Sequence, residues 1–127
     1  MGQVLFANAA AVVLGRLRTS IPTMTFVHDV PAVRPDTFVR IFRTGGPRTN
    51  RVVDGAQLTI EAWAPTAAEA DTAAQAVRAH LNALPEQRSY LSQIYRVDEL
   101  SGPAELPDIN SGSARFTWTV IVLIRGT

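Results

Sequence analysis

The chain has neither cysteine nor lysine. Without thiols there can be no disulfide, no thiolate metal ligand and no cysteine nucleophile, and the composition does not distinguish a reducing from an oxidising compartment. Histidine is scarce: only His28 and His80 occur, far apart in sequence. A bilayer-length apolar run is missing. The stretch from Val4 to Leu14 is interrupted by Asn8 and is too short to span. Arg16 and Arg18 follow that stretch instead of preceding it, the reverse of a secretory signal. Gly2 is followed by Phe6 where a myristoylation signal wants Ser or Thr. No targeting segment is read, so the protein is expected in the cytosol or in a particle assembled there. Charge of one sign is also lacking: 12 basic and 11 acidic residues leave a net charge of +1, which gives no global drive toward nucleic acid or anionic lipid.

What is present is one domain's worth of chain, 127 residues, enough to bury roughly two thirds of its unfolded surface in a core without staples. Every basic residue is arginine. The guanidinium is planar, weakly hydrated and bidentate, which suits interfaces better than a lysine coat does. Codon usage in a GC-rich genome produces the same excess, and the abundance of alanine agrees with it.

Periodicity divides the chain into elements. Residues 3–18 place Phe6, Ala10, Val13, Leu14 and Leu17 on one helical stripe, which Ser20-Ile21-Pro22 breaks. Residues 23–30 form a short β-rich stretch closed by Pro31. Residues 37–44 make a strand whose faces are Phe38, Arg40, Phe42 and Val39, Ile41, Arg43, apolar on both sides with arginine on each. A GGPRTN turn leads to a second strand over 51–64, with a kink or bulge expected at Asp54-Gly55. Pro65 stops it, and Thr66-Ala67-Ala68-Glu69 is a capping box opening a helix. Ala70, Ala73, Ala74, Val77, Leu81 and Leu84 form its buried stripe, with Asp71, Gln75, Arg78 and Asn82 outward. Residues 94–100 form another strand, SGPAELPDINSGS is irregular, and 115–125 closes the chain. Its portion Val120 to Ile124 is apolar on both faces, as in a central strand or one covered by a neighbouring subunit. The order α-β-β-β-α-β-β implies an α+β domain, two helices packed on an antiparallel or mixed sheet.

No arrangement of residues assembles into an active site. His28 lies beside Asp29, a base and a possible orienter, but no nucleophile accompanies them. His80 is read as solvated. A two-histidine metal site would lack a third marked ligand, and no cofactor is expected. Gly45-Gly46 before Arg48 resembles a phosphate cradle in composition yet lacks the lysine and spacing of a P-loop. A glycine-dependent hairpin is the simpler reading. Arg43, Arg48 and Arg51 gather at that turn. Asp98, Glu99, Glu105 and Asp108 form an acidic counterpart that would set register if the two segments meet between subunits. Solvated loops on one monomer are the other reading. Trp63, Trp118, Tyr90 and Tyr95 are taken as core or interface aromatics.

Two stretches carry a family resemblance: FVRIFRTGGPRTNRVVDGAQLTIEAWAPTAAEA, from Phe38, and YRVDELSGPAELPDINSGSARFTWTVIVLIRG, from Tyr95. They resemble the small tail terminator, or tail completion, proteins of long-tailed phages, especially actinobacterial ones. The resemblance implies an α/β subunit of a hexameric ring that caps the tail tube, stops its polymerisation and meets the head connector, with DNA passing through the lumen. It implies no catalytic residue. The expected partners are the protein itself, the tail tube protein and a connector or stopper protein, with no membrane, and the expected place is the neck end of the virion tail. From the chain's own residues, the interface candidates are Phe38, Arg40, Phe42, Arg43, Arg48, Arg51, Asp98, Glu99, Val120 and Val122. Another neck protein, or an anion- or nucleotide-binding domain using the GGPR turn, are the alternatives.

Overall fold

Asn8 decides where the first helix begins. Its side-chain oxygen accepts a hydrogen bond from the Ala11 amide at 3.1 Å, satisfying one of the orphan donors of a helix start. Helix α1 therefore spans Ala9–Ser20, and residues 2–8 precede it outside the helix. The helix expected over 3–18 starts late because an apolar period shows which face is buried and not where the first turn closes. Ile21 caps the other end, its amide donating to Leu17, just before Pro22.

The computed structural model describes residues 2–87 and 93–126, so Tyr90 lies outside the described residues. Strand β1 is only Phe26–Val27, shorter than expected for 23–30, and runs parallel to β2, Phe38–Gly45. Strand β3, Val53–Ala64, is followed by α2, Ala67–Asn82, and a 3₁₀ turn over Leu84–Glu86. Then come β4, Ile94–Glu99, β5, Ala104–Glu105, and β6, Ala114–Arg125. The strands form one six-stranded mixed sheet in the order β1-β2-β3-β6-β4, with β5 also paired to β6. Together with the two helices this is an α+β domain. The two-residue β5 lies within the segment read as irregular.

β6 is central, between β3 and β4, with Val120, Val122 and Ile124 in the core on the helix side. β3 pairs with it without interruption from Val53↔Arg125 to Ala64↔Ala114. The bulge expected at Asp54-Gly55 is therefore absent, and the irregularity falls between Arg43 and Gly45 on the facing strand. Gly55 answers to a different demand. A Cβ there would stand 2.9 Å from Thr49 Oγ1 and 3.0 Å from the Pro47 carbonyl, because the turn folds back over the strand.

Both helices lie on one face of the sheet, α2 across β3, β6 and β4, and α1 beside it against β1 and β2. Val39, Ile41, Leu58, Ile60, Trp118, Val120, Val122 and Ile124 form the core beneath them. The alanine stripe of α2 is buried as its sequence demanded, since small side chains let a helix lie close on a sheet. Thr66 Oγ1 accepts from the Glu69 amide at 3.2 Å and donates to the Glu69 carboxylate at 3.0 Å. Replacing Thr66 with alanine is expected to cost about 1 kcal/mol in chemical denaturation. An unchanged midpoint would mean the cap contributes nothing. Among the described residues no helix is long and apolar enough to cross a membrane.

Candidate functional site

The β2–β3 turn is built from Gly45 and Gly46, with φ of +126° and +87°, backbone that side-chain-bearing residues rarely adopt. Asn50 Oδ1 accepts from the amides of Val52 and Val53 at 2.9 and 3.0 Å, and the Gly55 amide donates to the Pro47 carbonyl at 3.2 Å. Arg43 closes the structure. Its guanidinium donates to both Asp54 oxygens at 2.7 and 3.0 Å and to the carbonyls of Gly45 and Gly46 at 2.9 and 2.8 Å. Asp54 is buried, whereas Arg43 is partly exposed. This polarity is opposite to an anion cradle: carbonyl oxygens converge on a cation, where a phosphate site needs amides converging on an anion.

Arg43 thus holds its own turn together while its side chain stays partly exposed. The other arginines of that end are outward. Arg48 is exposed and bridges Asp54 through its backbone. Arg51 donates to the Gly2 carbonyl at 3.0 Å. Arg125, at the end of β6 opposite Val53, reaches the Tyr95 hydroxyl at 3.4 Å. The charged end of the sheet therefore combines three chain segments, and Arg125 was missing from the sequence-based set because only strand register brings it there.

A second charged layer lies at the other end, on the face away from the helices. Glu61 accepts from Arg40 at 3.2 Å and from Arg115 at 3.4 Å, with Arg40 also donating to the His28 carbonyl at 2.9 Å. Phe38 and Trp63 stack at 5.4 Å between centroids. Arg34 and Arg115 lie over the Trp63 ring at 4.5 and 4.9 Å, cation–π geometry. Arg40 covers Phe42 at 4.0 Å. Phe38 is only 1% exposed, so it supplies no surface, contrary to the interface expectation, while Phe42 remains half-buried. Val120 and Val122 are likewise buried, in the core under the helices. The β6 residues on the uncovered face are their alternates, Ile121 and Leu123, both half-buried.

The acidic segment is largely used within the chain. Asp98 pairs with Arg96 at 2.7 Å, and Glu99 takes Arg78 of α2 in two bonds of 2.6 and 2.7 Å. Asp108 accepts from Ser111 and pairs with Arg34 at 3.6 Å. These side chains hold loops and a helix in place, and of the four acids Glu105 remains outward.

Arg78, by hydrogen bonding, holds the Glu99 carboxyl below its ordinary 4.5; burial opposes this, and Asn82 and the charge of Arg78 assist. A carboxyl with a lowered folded-state pKa contributes stability in full above its unfolded value, and loses it as pH falls through the folded value. Glu99→Gln is accordingly expected to flatten the loss of stability on acidification below about pH 4.5. Parallel acid slopes for the two proteins in thermal unfolding would show that the pair is not the source.

His28 and Asp29 sit 3.2 Å apart, both well exposed, and His80 is exposed. Among the described residues no group of three His, Asp or Glu side chains is arranged to hold a metal ion. A mostly apolar groove of about 410 Å³ between α2 and the loop before β2 is lined by Met24, Ala68, Thr72 and Ala76, with Glu69 at its edge, whose carboxylate accepts from the Thr66 hydroxyl of the helix cap. The surface left for function is the uncovered sheet face, Thr44, Gln57, Thr59, Thr119, Ile121 and Leu123, bounded by the two charged ends. In comparison with known proteins, the chain matches no protein-family model and no curated protein.

Proposed function

We propose that the protein is a structural virion subunit that closes into a ring on the tail tube of a long-tailed phage, ends tube growth and presents a surface for head joining. The observation that carries this reading is the one-sided architecture. Two helices cover one sheet face, and the other offers a broad surface of threonine hydroxyls and aliphatic side chains between two charged ends. Antiparallel sheets tolerate one solvated face, but Ile121 and Leu123 of β6 and Phe42 of β2, all half-buried on this face, make this one suited to a protein neighbour. Thr44, Thr59 and Thr119 form a hydroxyl ladder with spacings of 3.3 and 3.4 Å, leaving polar groups that a partner can meet. The resemblance of the hairpin and closing strand to tail terminators supports the same reading. A nucleotide-binding role for the GGPR turn is disfavoured by the carbonyl-to-Arg43 polarity described above.

The test is twofold. Light scattering on a sizing column combined with negative-stain electron microscopy is expected to show closed rings of about six subunits, the size the resemblance implies. Tail tubes polymerised with the protein present are expected to be short and capped at one end. Tubes that grow to unchanged length with bare ends would overturn the reading.

A further inference from the structure

The two ends of the sheet differ in the charge that surrounds their exposed apolar side chains. At the turn end, Leu5 and Val52 are exposed by 69% and 39%. Several contacts bring them together. The Gly126 amide donates to the Val52 carbonyl at 2.8 Å, and Gly126 lies so close to Val4, Phe6 and the Leu5 carbonyl that a Cβ would meet them at 2.6 to 2.9 Å. Arg48 and Arg125 flank this patch, and Asp54 beside them is taken by Arg43.

At the opposite end Val33 and Ile109 are exposed by 88% and 96%, with Leu106 beside them at 52%. The Arg34–Asp108 pair ties their two loops together, and the Leu106 amide bonds the Arg115 carbonyl at 2.8 Å. Asp36 and Glu105 are exposed on this rim, where Arg34 and Arg115 are met within the chain by Asp108 and Glu61. Ile109 stands on a turn held by Asp108, which bonds the amides of Asn110 and Gly112 through its side chain and its carbonyl. With Val33 and Leu106 it forms a cluster of exposed apolar side chains, the kind of surface that marks a contact.

We infer that these two ends bind each other between copies of this chain, end to end, with Val33 and Ile109 of one copy seated against Leu5 and Val52 of the next and the acidic rim meeting the arginine rim. The inference rests on the ring reading only in that it supplies the contact by which such a ring would close. Two different surfaces of one chain make a heterologous contact, which generates a ring when the rotation closes and a filament when it does not. Charge complementarity sets orientation and opposes head-to-head pairing, where Arg48 and Arg125 of one copy would face the same pair of the next.

The test uses the full chain and two double variants, Arg48→Glu/Arg125→Glu and Asp36→Arg/Glu105→Arg, each checked for an unchanged circular dichroism spectrum and unfolding midpoint. Wild-type protein is expected to exceed monomer mass in light scattering. Raising salt from about 10 to about 150 mM should weaken its association at least about tenfold, as the Debye length shrinks from roughly 30 to roughly 8 Å. Each variant alone is expected to be monomeric. Their equimolar mixture should regain assembly, because every contact then joins opposite charges. Wild-type rings whose mass neither variant changes would overturn the end-to-end contact and leave the ring reading standing. Folded variants that stay monomeric when mixed would also overturn it. So would a wild-type monomer at every concentration, including one whose arginine end takes up a short DNA duplex. Tube capping by such a monomer would uphold the functional reading while the contact falls.

Discussion

Trp118→Ala is expected to lower stability by about 3–5 kcal/mol, the range for deleting a large buried aromatic side chain. Trp118 is 1% exposed, sits opposite Ile60 across the β3–β6 pair, and belongs to the core on the helix side. The cavity would open where the central strand meets its cover, among close-packed neighbours that relax poorly into the space. Against the total of about 5–15 kcal/mol typical of a domain, the loss is a large share and moves the urea midpoint well down. Trp118→Phe discriminates the cause. The indole Nε1 is buried with no hydrogen-bond partner among the described residues, so a phenyl ring removes a donor that these residues leave unmet while keeping most of the contact. Its cost is expected to stay under about 1.5 kcal/mol. Equal costs for the two variants would show that ring volume at this site is not what holds the sheet to its helices.

Gly46→Ala is the other large effect, expected to exceed about 3 kcal/mol, beyond ordinary surface changes. Two costs combine. The positive φ of +87° strains a side-chain-bearing residue by about 1–3 kcal/mol. The added Cβ would also stand 2.1 Å from the Gly55 carbonyl oxygen and 2.6 Å from the Gln57 amide nitrogen. Both are backbone atoms of β3, so no rotamer change relieves the contact and the hairpin must part. Its opening withdraws the Gly45 and Gly46 carbonyls from Arg43 and leaves Asp54 with a weakened partner. Gly45→Ala is the control: its φ is +126° but nothing lies within 4 Å of the added atom. Only the conformational strain of about 1–3 kcal/mol remains there. Equal urea midpoints for the two variants would refute the clash. A smaller assembly of Gly46→Ala at temperatures where it stays folded would connect the turn's geometry to the outward placement of Arg48.

Much of the scaffold was legible in the sequence because its signals are local. Pro65, Thr66 and Glu69 specify the start of α2, and the alanine stripe specifies its buried face. The run Val120 to Ile124, apolar at consecutive positions, called for a central strand or one covered by a neighbouring subunit, and β6 lies between β3 and β4. Signals of the same kind were misassigned where a single side chain outweighed a pattern. Asn8 looked like an interruption of an apolar helix and is its cap. Gly55 looked like a bulge and is a place of close approach.

The candidate site was less legible, for a reason that alternation makes plain. A strand pattern divides residues into two faces without saying which face receives the helices. Val120 and Val122 went under them, and Ile121 and Leu123 were left to the open side. Nor does it say which charges will meet. Arg40 and Arg115 share Glu61 only because β2, β3 and β6 stand side by side in one register. Glu99 is spoken for by Arg78 because α2 crosses β4. The sequence alone determined the element types, the caps and turn that begin and end them, the lack of thiol chemistry and an arginine-only positive charge, since these depend on single residues and spacings of a few positions. Only the tertiary structure decided which arginines and carboxylates cancel within the chain and which remain outward, because pairing between segments tens of residues apart is set by sheet register and packing, to which local propensity carries no information.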